Sequence, residues 1–238
     1  MKREKVCLVT GAGGHIGQKI LANLVAKGKK VLALAEPDDV FSPMVLKTHN
    51  IRINTSLPVS DKSFQKHDVQ FCFGDLSDIS YLASIFSSAD SNNVEIEYVI
   101  HLSANKEIQK TSPHAYHPEF GDTVNLLEVA RAYWQANKTI FKGFFFASDA
   151  SNKGNDKIIQ MLQKIADKEE FPVDIYKPTS SVIGANYTGK TSISCLYRLI
   201  TPLKTVKLPN NEKTLSTKDA EKKYLASLLG AISKMVDD

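Results

Sequence analysis

The chain has 238 residues, 42% of them hydrophobic and 24% charged, and 30 Lys and Arg against 26 Asp and Glu give a formal net charge of +4. This is ordinary globular composition with enough chain for one substantial core, which excludes disorder and a low-complexity fibre. The positive charge is scattered, with small clusters at Lys27, Lys29 and Lys30 and at Lys222 and Lys223, so a concentrated basic stripe for nucleic acid is missing. No apolar run approaches the roughly 20 residues of a membrane-spanning helix, so no membrane partner is expected. The basic start Met1–Lys5 leads into a short apolar run and then glycines, without the small-residue cleavage site of a signal peptide. Cys7, Cys72 and Cys195 sit singly in apolar surroundings and read as reduced thiols, which places the chain in the cytoplasm.

Val6 to Thr10 is a five-residue apolar strand, followed at once by Gly11-Ala12-Gly13-Gly14. Ile16, Ile20, Leu21, Leu24 and Val25 then recur at the spacing of one helix face, Gly28 ends the helix, and Val31 to Ala35 is the next strand. The segment Glu36 to Asp68 holds three prolines (Pro37, Pro43, Pro58) and little periodicity; so long a gap reads as an insertion. The alternation resumes with strand Val69–Phe73, helix Ile79–Ala89, strand Tyr98–Leu102 and helix Phe120–Ala136. A strand around Phe144–Phe146, helix Lys157–Glu169 and a sixth strand at Val173–Tyr176 follow. Repeated βα units imply an α/β fold: a Rossmann-like, doubly wound parallel sheet flanked by helices. After Gly184 the pattern fades. Ser216 and Asp219 suggest a capping box for a last helix, with Tyr224, Leu225, Leu228, Ile232 and Met235 on its apolar face.

The most specific motif is Thr10-Gly11-Ala12-Gly13-Gly14-His15-Ile16-Gly17. It fails as G-x-G-x-x-G, because Ile16 stands at the third glycine, and fits as G-x-x-G-x-x-G through Gly11, Gly14 and Gly17. One glycine makes the tight turn out of the strand, one lets backbone approach a pyrophosphate, and one lets the helix pack closely. The helix amides and dipole then face the phosphates. Glu36, just past the second strand, is placed to bind the adenosine ribose diol; it would repel a 2′-phosphate, so NAD is expected ahead of NADP. A solvated loop acid is the alternative for Glu36.

These residues resemble the extended short-chain dehydrogenases and reductases of the NAD-dependent epimerase/dehydratase type, over roughly residues 5 to 184. Thr10–Gly17 is similar to that family's nucleotide turn, which would give Gly11, Gly14, His15, Ile16 and Gly17 to the cofactor. Gly74-Asp75-Leu76-Ser77-Asp78 resembles its G-D-L-x-D, which implies that Asp75 and Leu76 line the adenine pocket; a helix cap is the other reading of Asp75. Val99-Ile100-His101-Leu102-Ser103-Ala104 resembles its V-I-H-L-A-A, with Leu102, Ser103 and Ala104 along the cofactor and His101 a packed strand-end residue. Asn125-Leu126-Leu127-Glu128 resembles its N-L-L-E helix, and Lys177-Pro178 with Val182-Ile183-Gly184 its R-P-x-x-V-x-G, Lys177 replacing the arginine.

The resemblance also implies a Tyr-x-x-x-Lys dyad and a Ser or Thr at the fifth strand. None of the eight tyrosines has a lysine four places on. Asp149 falls at the family's Ser/Thr position, with Ser148 and Ser151 beside it. On the next helix Lys157 is the suitably placed lysine, and four places before it stands Lys153. Two lysines at that spacing repel, and one held neutral would be a base; two solvated lysines are the plainer alternative. His114 and His117 lack further ligands at metal spacing, so no metal site is expected.

The expected organisation is therefore an NAD(P)-binding domain over 1–184 and a truncated substrate-lobe remnant over 185–238, packed on the same domain as a short C-terminal appendage. The expected function is a dinucleotide-binding protein of this family without the dyad, binding, regulatory or catalytically impaired. The alternative is an atypical NAD-dependent oxidoreductase on a small carbonyl or sugar-derived substrate, using Lys157 with Lys153, Asp149 or Ser148. The resemblance also admits a homodimer paired through helices 120–136 and 157–169.

Overall fold

Strands β1 (Glu4–Thr10), β2 (Lys30–Ala35), β3 (Ile53–Asn54), β4 (Val69–Phe73), β5 (Val94–Leu102), β6 (Gly143–Ala147) and β7 (Val173–Tyr176) form one parallel sheet in a computed structural model that describes residues 3–35, 51–54, 59–102, 118–148, 153–177 and 217–237. The order is β3-β4-β2-β1-β5-β6-β7. Six strands thus follow the Rossmann order 3-2-1-4-5-6, and β3 extends the edge beside β4. The six are the expected ones. Their central members are fully buried, which is why they read as unbroken apolar runs rather than as alternation.

Helices cover both faces. α1 (His15–Ala26) and α6 (Thr217–Asp237) pack on one, through Ile16, Ile20, Leu21 and Leu24 and through Tyr224, Leu228, Ile232 and Val236. On the other lie α2 (Asp61–Lys66), α3 (Ile79–Ser91), α4 (Pro118–Ala136) and α5 (Lys153–Glu169). There Phe64, Leu82, Phe86, Leu126, Trp134, Ile158 and Leu162 share one buried cluster with Phe144 and Phe146. Each such fully buried large side chain contributes about 2 kcal/mol by leaving water. The last helix therefore completes a layer of the main core, with Lys29 Nζ donating to the Val236 carbonyl at 3.0 Å. Ser216, proposed as its cap, lies outside the described residues.

The largest differences from expectation are these. β5 begins at Val94 rather than Tyr98, α5 begins at Lys153 rather than Lys157, and the gap 36–68 contains β3 and α2. Ser60 caps α2 by accepting from the Ser63 amide. Asp68 ties the edge strand down: its carboxylate accepts from Arg52 Nε and Nη2 at 3.1 and 2.9 Å and from Lys30 Nζ at 3.1 Å. Those cations hold its carboxyl well below the usual carboxylate range. Cys7 and Cys72 are free and buried; Cys195 lies outside the described residues. Among the described residues no helix is long and apolar enough to cross a membrane.

Candidate dinucleotide site

In the order β4-β2-β1-β5-β6-β7 the chain winds outwards in opposite directions from the β1/β5 pair, which makes that pair the switch point where a crevice opens beyond the strand ends. Thr10 lies opposite both Leu34 and His101 in the register, Ala35 opposite Phe73, and Leu102 opposite Ala147. The Gly11–Gly17 turn and the segment beginning at Gly74 therefore leave the same edge of the sheet.

The turn is tightly determined. Gly11 has φ +64°, and a Cβ there would meet the Leu102 carbonyl oxygen at 3.2 Å. Left-handed backbone and close approach to β5 both demand glycine. A Cβ on Gly17 would stand 2.1 Å from the Gly11 oxygen and 2.8 Å from the Ala12 Cα. The third glycine thus packs α1 against the turn's own backbone. Gly14 is the N-cap of α1, its amide donating to the Gly11 carbonyl at 3.2 Å. No side chain caps this helix and no acid lies in its first turn, so its positive end is not neutralised from within. Gln18, buried, donates from Nε2 to the Gly13 carbonyl at 2.7 Å and pins that peptide.

The Gly74–Asp78 loop is equally constrained. The Gly74 amide donates to the Ala35 carbonyl at 3.0 Å, tying this loop to the end of β2. A Cβ on Gly74 would fall into the Tyr81 ring. Asp75 accepts from the Ser77 amide at 2.8 Å, an Asx turn, while Asp78 caps α3 by accepting from the Tyr81 amide. The cap is therefore Asp78, and Asp75 shapes the loop. Asn125 on α4 donates to the Leu76 and Ser77 carbonyls.

Behind the turn, His101 is 3% exposed, between Phe144 and Phe146. Its Nδ1 lies 2.6 Å from Thr10 Oγ1 and its Nε2 2.9 Å from Thr123 Oγ1. Burial lowers its pKa to about 4, so the imidazole is neutral at pH 7.

Of the residues expected to bind cofactor, Gly11, Gly14, Ile16, Gly17, Asp75, Leu76 and Leu102 lie along this edge, as does the backbone of His15. Glu36, Ser103 and Ala104 fall outside the described residues. Of the expected catalytic residues, Ser148 is buried just past β6, its amide donating to the Tyr176 carbonyl at 2.9 Å. Lys153 and Lys157 lie one turn apart on α5, and the Lys157 side chain is exposed. Asp149 is outside the described residues, as are Ser151, His114 and His117. Among the tyrosines, burial pushes the Tyr81 hydroxyl up to about 12 and raises those of Tyr133 and Tyr176. No cluster of metal-ligating side chains occurs among the described residues. Gln18 and Thr123 were not singled out from the sequence; the signal available was a polar residue falling among the buried positions of an otherwise apolar helix face.

Residues 8–210 match the family described as GDP-mannose 4,6 dehydratase. UDP-glucuronate 4-epimerase 2 of Arabidopsis thaliana is 28% identical over 176 residues, covering 72% of this chain and 35% of the relative. The chain thus matches little more than a third of the length of such curated relatives. A UDP-glucose 4-epimerase from Stenotrophomonas maltophila, solved with NAD and formylated UDP-arabinopyranose, superposes with a TM-score of 0.50 at 16% identity, covering 73% of this chain and 52% of that one. An NADH-dependent reductase complexed with NAD gives 0.53 at 14% identity, covering 79% and 83%. At these identities the structural likeness shows the fold.

Proposed function

The chain belongs to the GDP-mannose 4,6-dehydratase family, within the extended short-chain dehydrogenase/reductase superfamily, and on that premise we propose that it binds NAD at the Gly11–Gly17 turn as a binding or regulatory member without the family's acid/base dyad. The observation that carries this reading is the turn itself. A Cβ at Gly11 would press on Leu102 and one at Gly17 on the turn's own backbone, so the turn is held in one tight shape, and the start of α1, without a side-chain cap, points its dipole at the same place.

The residues fit the group. The backbone from Gly11 to Gly17 would take the diphosphate, Asp75 and Leu76 the adenine, and Leu102 with Ser103 and Ala104 the inner wall. Bound NAD would supply a hydride acceptor, or a donor when reduced. This chain's own part is to hold and orient the dinucleotide. Glu36 would take the ribose diol and turn away a 2′-phosphate, which favours NAD over NADP. In support of a binding role, no Tyr-x-x-x-Lys occurs in the sequence, and the Lys157 side chain is exposed. UDP-sugar epimerases among the relatives bring a nucleotide sugar or smaller sugar derivative into the panel of substrates to be tried.

Thermal denaturation with NAD+, NADH, NADP+ and NADPH tests the reading. Ligand at 100 times its Kd stabilises the fold by about 2.7 kcal/mol. The expected result is a rise in Tm with NAD+ or NADH that exceeds the rise with the phosphorylated pair. Unchanged Tm with all four overturns it. Loss of the C4 hydride from labelled NADH with a small carbonyl, abolished in Lys157→Ala, would instead establish the oxidoreductase.

A further inference from the structure

We propose that the N-terminal half of α4 is a single positioning element for the dinucleotide: Asn125 holds the adenine loop, and Thr123, through His101, holds the strand end from which the glycine turn leaves. The inference rests on the NAD reading above and assigns to it two residues that need touch no ligand.

Asn125 Nδ2 has two hydrogens, and two consecutive carbonyls of one loop receive them: Leu76 at 3.2 Å and Ser77 at 3.0 Å. Those carbonyls belong to the loop whose Asp75 and Leu76 face the adenine in the reading above. Ser77 is held from its other side too, its amide donating to Asp75 Oδ1. Removal of the Asn125 amide would free the carbonyls while leaving the Asx turn in place.

Thr123 stands two residues earlier on α4, about 200° round the helix, so its side chain leaves in a different direction. It is 1% exposed, and its hydroxyl meets His101 Nε2. The other ring nitrogen meets the hydroxyl of Thr10, the last residue of β1. Thr10, His101 and Thr123 are all buried, so each bond is made without competition from water. A neutral imidazole has one N–H, so the chain is directional: one threonine donates to the ring and the other accepts from it. Gly11 follows Thr10 directly, at φ +64° and with Leu102 close against it. A rotation of the His101 ring would pull on the residue that aims the diphosphate turn. One helix thus fixes both loops of the crevice relative to each other, the support that a preorganised site draws from residues behind it.

The test uses the full chain and two probes, NAD+ and adenosine, which lacks phosphate, titrated by NMR and calorimetry. Asn125→Asp keeps the shape and removes both donors; Thr123→Val keeps the shape and removes the hydroxyl. We expect Asn125→Asp, which loses both hydrogen bonds to the adenine loop, to weaken both probes by about tenfold. Thr123→Val is expected to weaken NAD+ by about tenfold and to leave adenosine unaffected, and Thr123→Ser to restore NAD+ binding. A role in stability alone would lower Tm without separating the probes. In the wild type the His101 ring nitrogens should shift in ¹⁵N spectra on adding NAD+ and stay put with adenosine, a measurement that needs no variant. Wild-type affinities in folded variants, or a ring silent to NAD+, overturn the inference and leave NAD binding standing. A wild type that does not bind NAD+ removes both.

Discussion

The β1/β2/β4 side of the crevice and the β6/β7 side hold their ends in different ways. On the first side the bonds are buried or backbone-made. Gln18 grips the Gly13 carbonyl, the Gly74 amide reaches Ala35, and His101 stands between Thr10 and Thr123. On the second side the Ser148 amide bonds to Tyr176, and beyond it Lys177 pairs with Asp156 at 3.0 Å, with side chains 59% and 61% exposed. An exposed ion pair contributes about 0–1 kcal/mol and weakens in salt. A buried bond whose partner cannot turn to water costs more to break. The nucleotide half is therefore fixed in position, whereas at the β7 end of the half that would carry acid/base chemistry in this superfamily the Lys177–Asp156 ion pair lies on the surface.

The harshest way to break that contrast is Gly17→Ala. The new Cβ would sit 2.1 Å from the Gly11 oxygen and 2.8 Å from the Ala12 Cα, both backbone atoms of a turn that is itself pinned. Relief requires α1 to lift from the turn. We expect a loss of about 3 kcal/mol, at the upper end for overpacking, and loss of NAD+ binding. Urea unfolding and NAD+ titration measure the two. A variant of wild-type stability and affinity would mean that the turn is not tightly determined.

His101 gives the next effect, through pH. Its ordinary pKa is about 6.5, and burial lowers it to about 4 in the fold. Between those values the unfolded chain binds a proton that the folded chain refuses. The contribution to stability is therefore complete above pH 6.5 and is lost as pH falls towards 4, by about 2 kcal/mol between pH 7 and 5. Neighbouring hydroxyls can donate to a neutral ring, and protonation would leave both nitrogens as donors. His101→Gln should flatten this part of the curve, as read from urea midpoints at pH 7 and pH 5. Equal slopes in variant and wild type would show that the imidazole does not titrate as its burial demands.

What the sequence made visible follows from the kind of force involved. Six strands stood out because burial on both faces leaves continuous apolar runs such as Val31–Ala35. β5 looked too short because Glu95 and Glu97 interrupt its run; Glu97 is nonetheless buried, its carboxylate meeting Lys5 Nζ at 2.7 Å from the neighbouring strand. β3 was hidden because two residues carry no period, and the Arg52 and Lys30 contacts that fix this edge meet on Asp68, which is remote in sequence from both. In the site, the glycine spacing exposed the turn because only glycine satisfies its sterics. Asn125 was visible only as part of a resemblance, and Gln18 and Thr123 only as polar residues on otherwise apolar helix faces. A side chain that bonds to a carbonyl 49 residues away leaves no mark on local pattern.

The smallest effect sharpens the comparison from its soft side. Lys177 replaces the arginine of the motif that residues 177–184 resemble, and its ammonium meets Asp156 Oδ1 in open solvent. An ammonium is a single strongly hydrated charge, whereas a guanidinium forks onto both carboxylate oxygens. The pair should contribute a few tenths of a kcal/mol, so Lys177→Met is expected to change stability by less than about 0.5 kcal/mol, and still less at high salt. Lys177→Arg, which restores the fork, should gain a similar amount. Urea midpoints at low and high salt measure both changes, with NAD+ affinity constant throughout. A loss of more than about 2 kcal/mol in Lys177→Met would put this contact in the class of buried pairs. The contrast between the two sides of the crevice would then fail at its softer end, and the β7 side would have to be regarded as fixed in position as firmly as the glycine turn.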